Sequence, residues 1–332
     1  MKTAVHRPGN LQEVEKEVLH GNVVVLAQAI TLCESQKPSD QRKSDDLLQK
    51  LLPHTGRSLR IGITGAPGVG KSTFIEVFGN YLTALQKRIA VLAIDPSSEK
   101  TKGSILGDKT RMEELAKDPL AFIRPTATGH TLGGVADKTR EAMLLCEAAG
   151  FEIILVETVG VGQSETAVRN MVDFFLLLQL AGAGDELQGI KKGIMEMADG
   201  IVITKADGEN EKRAKQAQTE YQQALHLFQP SESGWRPRVL TTSALERKGV
   251  DEVWKLIEAF HLFSLKTNFF QRNRAQQNLH WFRASVEQWF KTKILNSKGA
   301  SRKFKSFEKK VVEGKIAPSK AAREIVNSLL KK

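Results

Sequence analysis

The sequence is poor in cysteine and has no long apolar run. Its two cysteines, Cys33 and Cys146, are far apart and outside any CxxC spacing, which predicts neither a disulfide framework nor a cysteine-based zinc site. The seven histidines are scattered and offer no cluster of metal ligands. The longest apolar runs, around residues 23–30 and 174–180, are far shorter than the roughly 18–20 residues of a membrane-spanning helix. With no secretory-type apolar segment at the N-terminus, we expect a cytoplasmic protein without a membrane partner.

The net charge of +11 is concentrated at one end of the chain. Residues 266–332 contain 17 Lys or Arg against four Asp or Glu, while the first 265 residues together carry a charge of −2. Two interpretations of this basic segment remain. Its side chains, with Trp281 and Trp289, could follow the phosphates of a nucleic acid, or they could form solvated helix faces and dimer contacts. We prefer the second interpretation, so a nucleic-acid partner is not expected.

Hydrophobic periodicity divides the chain into three parts. Residues 1–56 contain helical apolar spacings at 11–35 and 44–52, and are expected to form an N-terminal helical extension. In residues 57–265, short apolar strands alternate with amphipathic helices. This pattern predicts an α/β domain with a mostly parallel sheet and helices on both faces. Residues 266–332 show only helical patterns and are expected to form a basic dimerisation arm.

The central part is expected to place its ligand at the carboxyl ends of its strands, where the motifs described below fall. The predicted strands are Leu59–Thr64, Ile89–Ile94, Ala121–Ile123, Phe151–Val156, Phe174–Leu180, Ile201–Thr204 and Val239–Thr242. The predicted helices are Lys71–Leu85, Val135–Ala149, Ile190–Ala198, Lys212–Phe228 and Val250–Phe263, followed in the arm by Phe269 to about Ile294, Ser301–Val312 and Pro318–Leu330.

A glycine-rich segment follows the first predicted strand. Residues 65–72 read GAPGVGKS and match the phosphate-binding pattern G-x-x-x-x-G-K-[ST], with the strand before and the helix after that this motif requires. The glycines let backbone N–H groups surround a β-phosphate, Lys71 reaches the β- and γ-phosphates, and the Ser72 hydroxyl can ligate Mg²⁺. We therefore expect a bound nucleoside triphosphate. The residues expected to hold it here are Gly65, Ala66, Pro67, Gly68, Val69, Gly70, Lys71, Ser72 and Thr73.

Three carboxylates are candidates for the site of Mg²⁺ and the attacking water. Glu157 follows four apolar residues of a strand, an arrangement that delivers one acid to the metal end of a nucleotide site, and Gly160 lies where a bare backbone N–H can face the γ-phosphate. Asp95 ends another strand, where it could hold Mg²⁺ through water or cap a turn. Asp108 lies in a polar segment, residues 103–112, that is typical of a mobile switch or of a solvated loop. From the residues alone, only Glu157 is favoured for the metal site.

A base-reading motif ends a later strand. Residues 204–207 read TKAD and match the guanine-reading pattern [NT]-K-x-D. The Asp207 carboxylate can accept hydrogen bonds from both N1–H and N2–H of guanine, a donor pair that adenine lacks, while the stem of Lys205 lies along the base. After the last predicted strand, Ser243, Ala244 and Leu245 are expected to supply backbone amides around guanine O6. The sequence therefore predicts GTP and GDP as ligands, with Thr204, Lys205 and Asp207 at the base.

These motifs closely resemble the methylmalonyl-CoA mutase-associated GTPases of the MeaB/ArgK type, within the metallochaperone-related P-loop GTPases. The stretches that carry the resemblance are GAPGVGKST, AIDPSSEKTKGSILGDKTRM, LVETVGVGQSE, GAGDELQGIKKGIMEMAD, TKADG and TSALERKGVDEVW. The resemblance covers residues 10–265 well and the C-terminal arm only in its helical character. It implies a P-loop GTPase fold, hydrolysis of GTP with Mg²⁺, and a homodimer built partly through the arm.

The resemblance also implies a partner and a set of site residues. The partner is an adenosylcobalamin-dependent acyl-CoA mutase, and the nucleotide state controls delivery or protection of its cofactor. By position, the catalytic residues are Lys71, Asp95, Asp108 and Glu157, and the residues around Mg²⁺ are Ser72, Asp95, Asp108 and Glu157. Residues 179–192 form a further switch that senses the partner, with a plain surface loop as the alternative. Thr204 stands where the family usually has Asn, which predicts weaker nucleotide binding with retained guanine preference.

Other functions stay open on the residues alone. No group for fast turnover is evident, because Gln163 lies three residues after Gly160 and no arginine finger is identified, so hydrolysis is expected to be slow without a partner. A kinase or phosphotransferase linked to amino-acid transport is the first alternative, although no acceptor groove or catalytic base is recognised. A nucleic-acid-binding NTPase that uses the basic arm is the second.

Overall fold

The apolar runs predicted as strands pair side by side in one sheet. The computed structural model describes residues 10–95, 112–127, 132–158, 164–182, 192–228, 231–296 and 298–330. The chain divides into two compact units, one ending at Gln277 and the other beginning at Asn278. The three-part division drawn from the sequence, at 56/57 and 265/266, stays a prediction.

All seven strands of the sheet in the first unit run parallel, in the order β3-β2-β4-β1-β5-β6-β7. The strands are β1 Leu59–Gly65, β2 Ile89–Asp95, β3 Ala121–Ala127, β4 Ile153–Glu157, β5 Phe174–Leu180, β6 Gly200–Thr204 and β7 Arg238–Thr241. The central strand β1 and its neighbour β4 are buried along their whole length, because helices cover both faces of the sheet. The predicted α/β fold with a parallel sheet is confirmed.

Helices connect the strands and extend the chain at both ends. They are α1 Leu11–Leu19, α2 Val23–Glu34, α3 Pro38–Leu51, α4 Lys71–Ala84, α5 Leu132–Ala148, α6 Ser164–Arg169, α7 Lys192–Met197, α8 Glu211–Leu225, α9 Val250–Lys266, α10 Phe269–Asn296, α11 Lys298–Val312 and α12 Pro318–Leu330. Short 3-10 turns occur at Leu52–His54, Leu115–Lys117 and Gly208–Asn210. Helices α4 and α9 pack on one face of the sheet, while α1–α3 and α5 share a core on the other.

The boundaries of several elements differ from the sequence-based prediction, and for two strands the reason is identifiable. Strand β3 continues through Pro125 to Ala127 instead of ending at Ile123. Proline cannot donate to a ladder, but β3 is the outermost strand, where one side of the backbone needs no partner strand. The apolar pattern predicts that Phe151 begins β4, yet its N–H donates to Cys146 O and closes the end of α5, so the strand begins at Ile153. The six-residue helix α6 is not among the predicted elements.

A buried cluster of charges joins the amino ends of two strands in the first unit. We call Arg60, Glu147, Asp173 and Arg274 the amino-edge cluster. Arg274, on α10, donates from Nε and Nη2 to Asp173 at 2.8 and 2.7 Å and from Nη1 to Gly56 O at 2.9 Å. Arg60 donates its N–H to Asp173 and its Nε to Glu147, both at 2.8 Å. The four side chains are at most 11% exposed, so this end of β1 and β5 is held by paired, largely dry charges.

The second unit consists of the remainder of α10 with α11 and α12. Within it, α10 exposes large apolar side chains at helical spacing, namely Leu279, Phe282, Trp289 and Phe290, which are 48–65% exposed. Ala300 on α11 and Ile325 on α12 are buried. In the described part of the chain, no helix combines the length and the apolar character needed to cross a membrane.

Candidate nucleotide site

The glycine-rich loop leaves the central strand and enters α4 through positions that only glycine fits well. A Cβ added at Gly65 would lie 2.6 Å from Leu178 O on β5 and 2.9 Å from the Val69 side chain. Gly68 and Gly70 have φ angles of 80° and 95°, in the left-handed region, and Gly70 is the N-cap of α4. The loop is therefore compact and places the N-terminus of α4 at the carboxyl edge of the sheet.

Lys71 lies across this loop. Its Nζ donates to Gly65 O at 2.8 Å and to Ala66 O at 3.3 Å. Burial lowers the pKa of Lys71, whereas the negative charges of Glu157 and Glu165 oppose that shift. The ammonium group is thus held by two neutral carbonyls near two acids, an arrangement that phosphate oxygens can replace with stronger, charge-assisted hydrogen bonds.

Ser72 and Glu157 bring two oxygen ligands together from different elements. The Ser72 hydroxyl, at the start of α4, donates to Glu157 Oε1, at the end of β4, over 3.2 Å. Hydroxyl and carboxylate oxygens are the hard donors that Mg²⁺ prefers. Among the residues that the structure describes, no three His, Cys, Asp or Glu side chains form a metal-binding group. Strand β2 ends at Asp95, but its side chain, together with Asp108 and Gly160, lies outside the described residues, so the three-acid site stays a prediction.

Thr204 braces the loop from the end of β6. Its buried hydroxyl lies 2.7 Å from Val69 O in the glycine-rich loop and 3.1 Å from Gln179 O on β5. One hydroxyl proton therefore serves two carbonyls, and the threonine ties the phosphate-binding loop to its neighbouring strands. How strongly this chain binds nucleotide relative to one with Asn at 204 stays a prediction.

Lys205 crosses the same loop from the outside. Its backbone adopts a left-handed φ of 55°, and its Nζ donates to Gly68 O at 3.0 Å. The Asn210 side chain donates to Lys205 O at 2.6 Å and supports this conformation. The stem of Lys205 therefore runs beside the loop, and its contact with a base stays a prediction.

Asp207 and Ser243 meet although 36 positions separate them. The Ser243 hydroxyl donates to Asp207 Oδ2 at 2.7 Å and accepts the N–H of Glu246 at 3.1 Å. Ala206 N donates to Thr242 O at 3.0 Å, which joins the two loops through the backbone as well. The structure thus brings together the two segments predicted to read guanine. In the second of them, Ala244 is half-buried and Leu245 is 83% exposed.

Glu165 is a residue near the site for which the sequence predicted no role. It is 2% exposed on α6, and its charge acts on Lys71. The only signal was its place in the stretch ETVGVGQSE, and a six-residue helix is too short for periodicity to reveal which side chain faces inward.

Known proteins are similar to this chain over most of its length. The family model described as "Methylmalonyl Co-A mutase-associated GTPase MeaB" matches residues 26–298. GTPase ArgK of Escherichia coli is 46% identical over 315 residues, which cover 95% of each chain. The mitochondrial methylmalonic aciduria type A homolog of Mus musculus is 43% identical over 315 residues, 92% of this chain and 76% of that protein.

A solved structure extends the agreement to the backbone. The crystal structure of an LAO/AO transport system kinase has a TM-score of 0.78 at 39% identity, covering 98% of this chain and 99% of that one. The nucleotide site and these similarities lead to one assignment. The chain belongs to the methylmalonyl-CoA mutase-associated GTPase (MeaB) family, and it is a P-loop GTPase that binds GTP and GDP and hydrolyses GTP.

Proposed function

We propose that this GTPase serves as a chaperone for an adenosylcobalamin-dependent acyl-CoA mutase of the methylmalonyl-CoA mutase type. In this proposal, the GTP and GDP states differ in how they engage the mutase, and hydrolysis controls delivery or protection of its cofactor. The observation that carries the proposal is the match of residues 26–298 to a mutase-associated GTPase family. The name of the mouse relative, which refers to methylmalonic aciduria, supports it. We further propose a cytoplasmic location, in keeping with two buried thiols that form no disulfide.

Within the site, we assign three recognition roles. Lys71 exchanges the carbonyls of Gly65 and Ala66 for the β- and γ-phosphates, which couples nucleotide binding to the conformation of the loop. Asp207, oriented by the Ser243 hydroxyl, accepts the two guanine donors. When bound, Mg²⁺ would be held by Ser72 and Glu157 and would offset the negative charge that develops on the phosphates.

We expect hydrolysis by the isolated protein to be slow. In P-loop GTPases, rate depends on a residue that orients water and on a cation that offsets transition-state charge, and partners often supply the missing group. Asp95, Asp108 and Gly160 are the proposed water and γ-phosphate contacts, and residues 179–192 the proposed partner-sensing switch. A mutase that completes the site should therefore accelerate turnover.

A homodimer is part of the proposal. The exposed apolar side chains of α10 in the second unit, Phe282 and Phe290 foremost, form a surface that another copy of the chain can cover. Sedimentation analysis should show a dimer that Phe282→Ser and Phe290→Ser together convert to monomer. A monomeric wild-type protein would remove this part of the proposal and leave the nucleotide site untouched.

The central experiment measures nucleotide-dependent binding of a mutase. The protein, loaded with GDP or with a non-hydrolysable GTP analogue, is mixed with apo methylmalonyl-CoA mutase, and the complex is quantified by co-purification. We expect affinities that differ between the two nucleotides, and faster GTP hydrolysis in the presence of the mutase. Equal affinities together with an unchanged hydrolysis rate would rule out the chaperone role.

The similarity to an LAO/AO transport system kinase favours one other candidate function. A kinase transfers the γ-phosphate to an acceptor, whereas a GTPase releases it to water. Incubation with γ-labelled GTP and candidate acceptors separates the two, because only a kinase leaves label on protein or amino acid. We expect all label to appear as inorganic phosphate.

A further inference from the structure

Helix α6 packs directly on the central strand, close to the phosphate-binding loop. A Cβ added at Gly62 of β1 would lie 2.8 Å from the Val168 side chain and 2.9 Å from the ring of Phe175. The helix therefore rests against bare backbone three residues before Gly65. Because no side chain separates them, a shift of α6 would displace the strand that carries the loop.

The two ends of α6 have different partners. Near its start, Glu165 is buried, and the negative charge of its carboxylate acts on Lys71, where it opposes the lowering of the lysine pKa by burial. At its end, Arg169 forms a forked ion pair with Asp199, with Nη1–Oδ2 at 2.9 Å and Nη2–Oδ1 at 3.3 Å. The same Asp199 carboxylate accepts the N–H of Phe175 on β5 at 2.9 Å. One end of the helix is thus anchored to the sheet, and the other end meets the site.

We propose that Arg169 and Asp199 are positioning residues for GTP hydrolysis, because their ion pair fixes α6 against β1 and so holds Glu165 where its charge acts on Lys71. A helix of six residues has too few internal hydrogen bonds to hold its own geometry, and its position depends on tertiary contacts. The bidentate geometry fixes the direction of the helix as well as its distance from β5. This inference concerns hydrolysis by the protein itself and is independent of the proposed mutase partner.

The same pair responds to pH. Burial raises the pKa of Asp199 to about 6, against the opposing effects of Arg169 and the Phe175 N–H. The charged groups that act on Asp199 among the described residues are Arg169 on α6 and Asp173 just before β5, and Asp173 is itself paired with Arg274. Below about pH 6, Asp199 therefore becomes neutral and Arg169 loses its charged anchor.

Steady-state kinetics of Arg169→Met test the positioning role. We expect kcat to fall about tenfold while KM for GTP stays within about twofold. Lys71 and the rest of the loop remain to bind the phosphates, whereas a displaced Glu165 changes how well Lys71 offsets the charge that develops in the transition state. Arg169→Lys keeps the charge and should recover part of the rate. An unchanged kcat, or an effect confined to KM, would refute the inference.

A matched control separates positioning from general destabilisation. Glu34→Gln breaks another partly buried ion pair, Arg124–Glu34 at 2.7 Å, which joins α2 to β3 away from α6. Even where its melting temperature falls as far as that of Arg169→Met, Glu34→Gln should keep the wild-type kcat. A comparable loss of kcat in Glu34→Gln would show that the effect is general and would overturn the assignment.

The pH profile gives a readout that a structural role alone would not change. For the wild-type protein, kcat should fall as pH decreases through about 6, the pKa of Asp199. Asp199→Asn resembles the protonated state, so it should be slow at neutral pH and lack this step. A step near pH 6 that persists in Asp199→Asn would disprove the role of this carboxylate, provided that both proteins stay folded over the range.

Discussion

The two edges of the sheet are built in opposite ways. At the carboxyl edge, Lys71 and Lys205 donate to neutral carbonyls of the glycine-rich loop, contacts that a ligand can replace. At the amino edge, Arg274 and Asp173 satisfy each other with charged, forked hydrogen bonds away from water. The same two strands, β1 and β5, run between these edges.

In β1 and β5, the carboxyl end therefore serves nucleotide binding, and the amino end serves the stability of the fold. Contacts to be exchanged for phosphate must be weak enough to break, so the carboxyl edge cannot contribute much to folding. The amino edge has no such constraint, and its buried charges tolerate no missing partner. We therefore expect substitutions at the carboxyl edge to reduce nucleotide binding or hydrolysis without loss of stability. Substitutions at the amino edge should reduce stability without loss of nucleotide binding.

Lys71→Met should give the largest effect. We expect kcat/KM for GTP hydrolysis to fall about a thousandfold, because the charge that meets the β- and γ-phosphates is lost. Thermal stability should not fall, since burial already opposes the charge of Lys71. The control is Lys87→Met, which removes an exposed lysine paired with Glu152. A large drop in melting temperature for Lys71→Met would break the contrast between the edges.

Arg274→Met should reduce stability and leave nucleotide binding unchanged, the opposite of Lys71→Met. It leaves Asp173 buried without its fork, and we expect a loss of about 3–5 kcal/mol in the free energy of unfolding, measured by urea denaturation. At low temperature, the folded protein should keep its affinity for GDP. Arg274→Lys should recover only part of the stability, because lysine keeps the charge but lacks the planar fork. If GDP affinity fell as much as stability, the two edges would not be independent.

Asp207→Asn should change the choice of base. Loss of charged hydrogen bonds to guanine should weaken GDP binding about tenfold or more for each bond, and preference should move toward xanthine nucleotides. Calorimetric titration with GDP and XDP measures both changes, and Glu209→Gln, at an exposed neighbouring position, is the control. If Asp207→Asn discriminated between GDP and XDP as the wild-type protein does, the base would have to bind away from Asp207.

Thr204→Val should produce the smallest of these effects. Valine has nearly the same shape but cannot donate to Val69 O or Gln179 O, so GDP affinity should fall by about fivefold, equivalent to about 1 kcal/mol. Thr204→Ser should stay close to wild type. Thr204→Asn should bind more tightly than wild type if the difference from the family pattern weakens the site, and equal affinity would remove that interpretation.

The sequence predicted the sheet and the phosphate-binding loop well because both depend on local patterns. Apolar runs of the length of β1 and β5 permit few alternatives, and a glycine loop between strand and helix is recognisable without tertiary contacts. The sequence predicted too short a β3, because its apolar run ends before Pro125 and proline usually interrupts a strand. An outer strand tolerates proline, but that β3 is an outer strand follows only from the order of the sheet.

The long-range anchors of the amino edge and of α6 could not be predicted because they join distant positions. Arg274 contacts Gly56 O across 218 positions, and Arg169 reaches Asp199 across 30. Neither partner is marked by spacing or composition, and the pairing depends on which helix covers which strand. The role of Thr204 was partly accessible: the motif located it, whereas its two carbonyl partners required the fold.

The distance of Arg274 along the chain also affects the order of events during synthesis. Ribosomes deliver the chain from the N-terminus, so β1 and β5 are complete well before residue 274 emerges. Until then, the Asp173 carboxylate, which is buried in the folded protein, lacks the guanidinium group that pairs with it. A nascent chain that stops at Leu265 therefore lacks the cation that pairs with Asp173, and we expect its amino edge to be less stable than that of the full chain.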